Sequence, residues 1–286
     1  MAVLTVNASS GNDSWTKAQI AASGGSLSWL TIGRAAWGST SRSSPNASEA
    51  AAAGDTVIVA SGVYNNTSVV NNRFTPLYLP ANSGTSVNPI IFSATGLVVL
   101  EAPNVLSPMI GGTSAINYIR WEGHFLIDQD DHSAHPDTGP VTFHTATGCV
   151  LDGLELVGIP GFSWGDNHNA VRMEAAVSCT VKNCLLTDWY DGAGSNGSFF
   201  TLYGCQNCII EANRGDGAGT AVYFKDTATM PSQQGNIVRF NHFSNTLNSF
   251  FRWSHVSAPD DENRSYVYQN LCRIGNRGIN IIDAIN

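Results

Sequence analysis

The sequence predicts an all-β fold, a single-stranded right-handed parallel β-helix with a short N-terminal capping helix. Three observations carry that expectation. A glycine or asparagine follows three or four strand-like residues six times, at Gly123, Gly153, Asn183, Asn213, Asn241 and Asn270, advancing by 30, 30, 30, 28 and 29 residues. A second set of strand-like segments keeps a compatible period. Only 13% of the 286 residues are charged, while 43% are hydrophobic in short runs, which favours many short strands over helices.

From the N-terminus, Ser28 to Ala36 reads as a short amphipathic helix, and residues 14–50 are assigned to covering the first coil, whose strand edges would otherwise stand bare. The division expected is 1–54 for the N-terminal segment and 55–286 for the solenoid. Gly and Asn share the repeated position because both tolerate a left-handed corner, and Asn adds an amide that can bond to its equivalent one coil away. The second strands are Val141–His144, Val171–Glu174, Phe200–Tyr203, Val222–Lys225 and Phe251–Ser254. Alternation points Phe143, Met173, Leu202, Phe224 and Trp253 inward, at separations of 30, 29, 22 and 29 residues. The short step precedes a longer turn, so a connection on this side differs between coils. Cys149, Cys179 and Cys208 share one repeat position and read as a stacked internal column of core thiols; the pair Cys205 and Cys208 is a lone C-x-x-C with no partner pair for zinc. Gly278 to Ile282 resembles one more second strand with no cap after it, so the expectation is either that the chain is truncated there or that a partner, such as another copy, covers that end.

Two segments carry a resemblance. Trp29-x-Thr31-Ile32 followed by the stretch from Ala53 to Tyr64 resembles the beginning of the pectate-lyase-like superfamily of right-handed β-helix proteins, and with the coils the resemblance covers nearly the whole chain. It implies the fold, but not one activity, since polysaccharide lyases, glycoside hydrolases, phage tailspikes and capsid decoration proteins share it. Ala221 to Lys225 and Asn248 to Arg252 are similar to segments of chondroitin- and alginate-cleaving lyases, whose catalytic Lys and Arg lie on successive coils. The resemblance thus implies catalytic roles for Lys225 and Arg252. Those lyases carry acidic calcium ligands just before the Lys, where this chain has Gly219, Thr220 and Ala221, so no cofactor is expected, with calcium as the alternative.

Outward positions of the second strand form two columns, because equivalent residues on neighbouring coils lie ~4.8 Å apart. One holds Thr142, Arg172, Thr201, Tyr223 and Arg252; the other holds His144, Glu174, Tyr203, Lys225 and Ser254. For β-elimination on a uronic acid, Arg252 or Arg172 can neutralise the carboxylate, Lys225 or His144 can take the C5 proton, and Tyr203 or Tyr223 can protonate the leaving oxygen. The competing expectation is a solvated sheet face on which Arg172 pairs with Glu174. Hydrolysis ranks lower, since Glu174 is the single acid in the columns, with Asp188, Asp191 and Asp216 on adjoining turns. Asp128 to His135 is either a divalent-cation loop or an acidic surface loop. Trp164 and Trp189, beside polar groups, either stack on sugar rings or seal loops.

The formal charge of −8 and pI near 5.2 leave no basic stripe for nucleic acid. No apolar run reaches membrane-span length and no secretory leader is visible, so synthesis in the cytoplasm, with a final place on a virion or outside the cell, is expected. The first-ranked function is a non-catalytic phage capsid decoration or tail component, a homo-oligomer such as a trimer or a partner of capsid and tail proteins, possessing a surface that binds glycans. The alternative is a polysaccharide lyase that cleaves a uronic-acid polymer.

Overall fold

The computed structural model describes residues 1–67, 72–103, 107–129, 139–159, 168–190, 197–225, 230–254, 265–275 and 278–282. Their strands pair in parallel throughout and wind into a solenoid, the parallel β-helix that the spacing predicts. The first sheet stacks Val3–Val6, Thr56–Val59, Ile90–Ala94, Ile119–Glu122, Val150–Asp152, Thr180–Lys182, Ile209–Glu211, Ile237–Arg239 and Tyr266–Tyr268. A second stack begins with Gly62–Asn65, Val98–Glu101, Phe125–Asp128, Glu155–Val157 and Leu185–Trp189, and a third with Ile110–Thr113, Val141–His144, Asn169–Glu174 and Ser198–Tyr203.

The second stack is absent from the sequence reading, which found two strands per coil. Its strands follow the corner residue so closely that, in sequence, they merge with the first strand. In the coils of Arg214–Lys225 and His242–Ser254 one long strand runs through both the second and third stacks. This accounts for the step of 22 residues between Leu202 and Phe224: the connection present in earlier coils is missing here. Leu202 and Phe224 are nevertheless register partners, as are Phe143 with Met173, Met173 with Leu202, and Phe224 with Trp253. Phe143, Met173, Leu202 and Phe224 are buried, so the alternation argument places the core correctly.

The corner departs from expectation in an instructive way. Left-handed backbone occurs at Gly123, Gly153 and Asn183, then at Ala212, Phe240 and Gln269, one residue before the asparagines. Asn213 and Asn241 instead turn their amides into the core, where Asn213 Nδ2 donates to Asn241 Oδ1 and Asn241 Nδ2 to Asn270 Oδ1, both at 2.9 Å. The same oxygens accept the backbone N–H of Asn213 (2.9 Å) and of Asn241 (3.0 Å). Satisfying buried donors offsets a left-handed non-glycine residue, which costs about 1–2 kcal/mol.

The N-terminal segment contributes more than a cap, since Val3–Val6 pairs with Thr56–Val59 as a rung of the first sheet. Its open edge is covered by the chain at Trp29, whose N–H donates to Thr5 and whose carbonyl accepts from Asn7. Two short helices follow this edge, Lys17–Ala22 with a Thr16–Gln19 capping box and Ile32–Trp37 capped by Thr31. The second starts four residues later than Ser28 and is buried on all sides rather than amphipathic, Arg34 included. Cys149, Cys179 and Cys208 lie in the core column expected of them, as reduced thiols. Burial pushes the Cys184 thiol up to about 12, and those of Cys179 and Cys205 up as well.

Candidate functional site

The outer face of the third sheet carries the two expected columns. Register pairs Thr142, Arg172, Thr201, Tyr223 and Arg252 in turn, and likewise His144, Glu174, Tyr203, Lys225 and Ser254. Parallel in-register pairing is what brings Glu174 beside Tyr203, and Lys225 beside Ser254, across some 30 residues of chain.

The face is not solvated, contrary to one of the two expectations. Thr142, Arg172, Glu174, Thr201, Tyr203 and Tyr223 are each 6% exposed or less, whereas Lys225 and Arg252 are partly exposed. Arg172 Nε donates to Glu174 Oε1, and His144 Nδ1 lies 3.3 Å from Glu174 Oε2. Burial alone would push the Glu174 carboxyl up, but the His144 contact and the Arg172 charge outweigh it and hold that carboxyl below its usual range. Arg172 therefore serves Glu174 and is shielded, so its expected role toward a substrate carboxylate is corrected, as is that of Glu174 as a substrate contact. A group both buried and charge-paired cannot also meet a polymer.

Beyond Glu174 the cations alternate with rings. The Arg172 guanidinium lies 4.5 Å from the Tyr203 ring centre, Lys225 Nζ lies 5.4 Å from Tyr203 and 5.6 Å from Tyr223, and the Arg252 guanidinium lies 4.5 Å from Tyr223. Tyr223 Oη is 2.7 Å from Ser254 Oγ. Burial pushes the Tyr203 phenol up, which keeps it protonated. Among the described residues Lys225 makes no ion pair, and it sits where the long strand Arg214–Lys225 removes the connection found in earlier coils.

Trp189 is corrected too. It is fully buried, its indole N–H donates to the Leu156 carbonyl (3.1 Å), and His168 stacks on it at 4.9 Å, so it seals the solenoid and cannot stack on a sugar. Trp164, Asp191 and most of the stretch from Asp128 to His135 lie outside the described residues. Among the described residues no group of three or more His, Cys, Asp or Glu side chains comes together to hold a metal ion. Asp216 lies nine residues before Lys225 on the same strand and accepts from Asn245 at 2.6 Å; burial and the Asp216 charge push the Asp188 carboxyl up. These two acids belong to the second sheet, away from Lys225.

One part of the surroundings was missed in the sequence. Residues 72–78 occupy the end of the third sheet, with Leu77 and Tyr78 N–H groups bonded to the Pro108 and Met109 carbonyls. The Phe74 ring stacks on His144 at 4.2 Å, and Arg73 lies 4.3 Å over Phe74. The stretch lacks strand alternation, and its long-range partners have no sequence signal.

Three parallel stacks, an internal amide ladder and a clustered ionisable wall thus run across successive coils of about thirty residues. The fold is a parallel β-solenoid, nearly all β. No family model and no curated protein matches the chain. Solved structures similar to this chain include the A-module of Azotobacter vinelandii mannuronan C-5 epimerase AlgE4, at 12% identity and TM-score 0.33, covering 79% of this chain and 88% of that one. The alginate lyase from Paenibacillus sp. str. FPU-7 is 13% identical with TM-score 0.36, over 80% and 93% of the two chains. A GH136 lacto-N-biosidase from Eubacterium ramulus is 10% identical with TM-score 0.34, over 99% and 68%. At these values no residue role is transferred from any of them.

Proposed function

We propose that this protein is a polysaccharide lyase acting on a uronic-acid polymer at Lys225 and Arg252. The observation that carries the reading is the placement of these two cations, partly exposed on successive coils, on either side of the buried Tyr223 ring. A passive scaffold has no need to hold so many ionisable groups at a desolvation cost, whereas a reacting site does. For that reason the virion role, first-ranked on sequence, gives way to the catalytic one.

Elimination requires three things of the wall. Arg252 pairs with the substrate carboxylate, which acidifies the C5 proton; Lys225 removes that proton; and a phenol beside Lys225, Tyr203 or Tyr223, protonates the departing oxygen. The C5–H electron pair becomes the C4–C5 double bond as the C4–O bond breaks, so atoms and electrons balance without a redox partner. His144, stacked beneath Phe74 and engaged with Glu174, holds that acid rather than acting as base.

The test is ultraviolet absorbance of the unsaturated uronate product with alginate, pectate and chondroitin sulfate, each with and without calcium. Turnover on one of them is expected, with Lys225→Ala and Arg252→Ala each reducing kcat by ~10²–10⁴-fold while melting temperature stays within a few degrees. Silence on all three polymers, or full activity in Lys225→Ala, removes the proposal.

A further inference from the structure

We infer that the site is closed at one end and takes its polymer by a chain end, releasing a short product of uniform size; this rests on the lyase reading of the same wall. Lys225 and Arg252 lie on successive coils of one sheet, so a polymer laid along the column they belong to follows the solenoid axis. Toward the C-terminal coils the wall continues to Arg252 and Ser254, while toward the N-terminal coils it is shut.

Four features close it. Leu77 and Tyr78 donate to the carbonyls of Pro108 and Met109, which lead into Ile110–Thr113, so residues 72–78 pack against the entrance of the first strand of this sheet. Gly111 stands in the column of Arg172 and Arg252, and a Cβ built there would collide with the Thr142 carbonyl and lie 3.2 Å from Pro76 Cγ, so Pro76 packs close to that coil. Phe74 then reaches the next coil and stacks on His144, with Arg73 above it. Finally, the pair Arg172 and Glu174 is buried, His144 beside it carries the Phe74 ring on its partly exposed face, and Lys225 and Arg252 are partly exposed.

The stop is fixed from behind. The Arg42 guanidinium donates to the carbonyls of Leu77 (3.1 Å), Pro76 (3.0 Å) and Thr75 (3.4 Å), and the Trp37 indole donates to Leu77 (3.2 Å). Arg42 is thus a positioning residue, whereas Phe74 and Arg73 form the face that meets the chain end.

Product sizes from the first minutes of digestion, set against viscosity loss, test the inference. Wild type is expected to release one short oligomer while viscosity falls slowly; Phe74→Ala with Arg73→Ala, and separately Arg42→Ala, shift the products to a broad ladder with early viscosity loss. These side chains lie outside the solenoid core, so the variants retain the fold, which circular dichroism melting checks. A broad ladder from wild type overturns the closed end while leaving the lyase reading intact, as does an unchanged product in both variants. If no polymer is cut, binding of labelled oligogalacturonates and oligomannuronates from dimer to octamer decides: affinity that levels off at short length upholds the stop without catalysis, affinity that climbs with every added sugar overturns it, and absence of binding overturns both.

Discussion

At the scale of single residues, Glu174 shows how a solenoid wall makes a buried charge tolerable. Its carboxylate is held by Arg172 and His144 from its own and the preceding coil, and the interaction outweighs burial in setting its protonation. A depressed folded-state value means that the pair stabilises the protein fully above the usual carboxylate pKa of about 4.3, and that this contribution fades as pH falls through the lower folded value. Glu174→Gln should therefore lose ~3 kcal/mol at neutral pH, since it leaves Arg172 buried without its anion, and should show a flatter decline in acid. Melting temperature against pH checks this; identical acid limbs for variant and wild type would refute it. The placement of Glu174 beside Arg172 was legible from alternation alone. That both are buried was not, because what covers them is distant in sequence.

At the scale of the element, the turn between the first and second sheets divides two tasks that the spacing had assigned to one residue. The bend is made by Ala212, Phe240 and Gln269, and the stacking by Asn213, Asn241 and Asn270. Repeat spacing identifies the motif to within a residue, yet a period cannot say which of two adjacent positions carries the left-handed conformation. Asn241 bonds in both directions and also donates to the Ile210 and Arg239 carbonyls, so Asn241→Ala strands several buried partners. A loss of ~2–4 kcal/mol is expected in the unfolding free energy from denaturant titration. Asn183 is exposed and its side chain bonds Asp152, so Asn183→Ala should cost ~1 kcal/mol or less. Equal losses for the two would mean that the ladder contributes nothing beyond one ordinary hydrogen bond.

At the scale of the whole molecule, a continuous core threads the coils, and the cysteines report on it. Cys149, Cys179, Cys184, Cys205 and Cys208 are buried, while Cys272, toward the C-terminal coils, is partly exposed. Burial keeps reagent from all five: it also raises the thiols of Cys179, Cys184 and Cys205, whereas hydrogen bonding to Cys179 holds those of Cys149 and Cys208 down, so it is enclosure in the core that protects these two. Brief alkylation of the native protein should thus label Cys272 first, with all six cysteines labelled only after unfolding; mass spectrometry of tryptic peptides reads the order. Early labelling of Cys179 or Cys208 would show that the central coils open more easily than this core allows.

The sequence by itself determined the solenoid, its period, the inward residues of the third sheet and the neighbours along the outer wall, because in-register parallel pairing converts a constant interval directly into contact. Tertiary structure alone decided which wall residues remain open, where the second sheet lies, and how residues 72–78 close one end. Those outcomes depend on desolvation and on contacts between segments whose separation follows no period, and no local pattern encodes either.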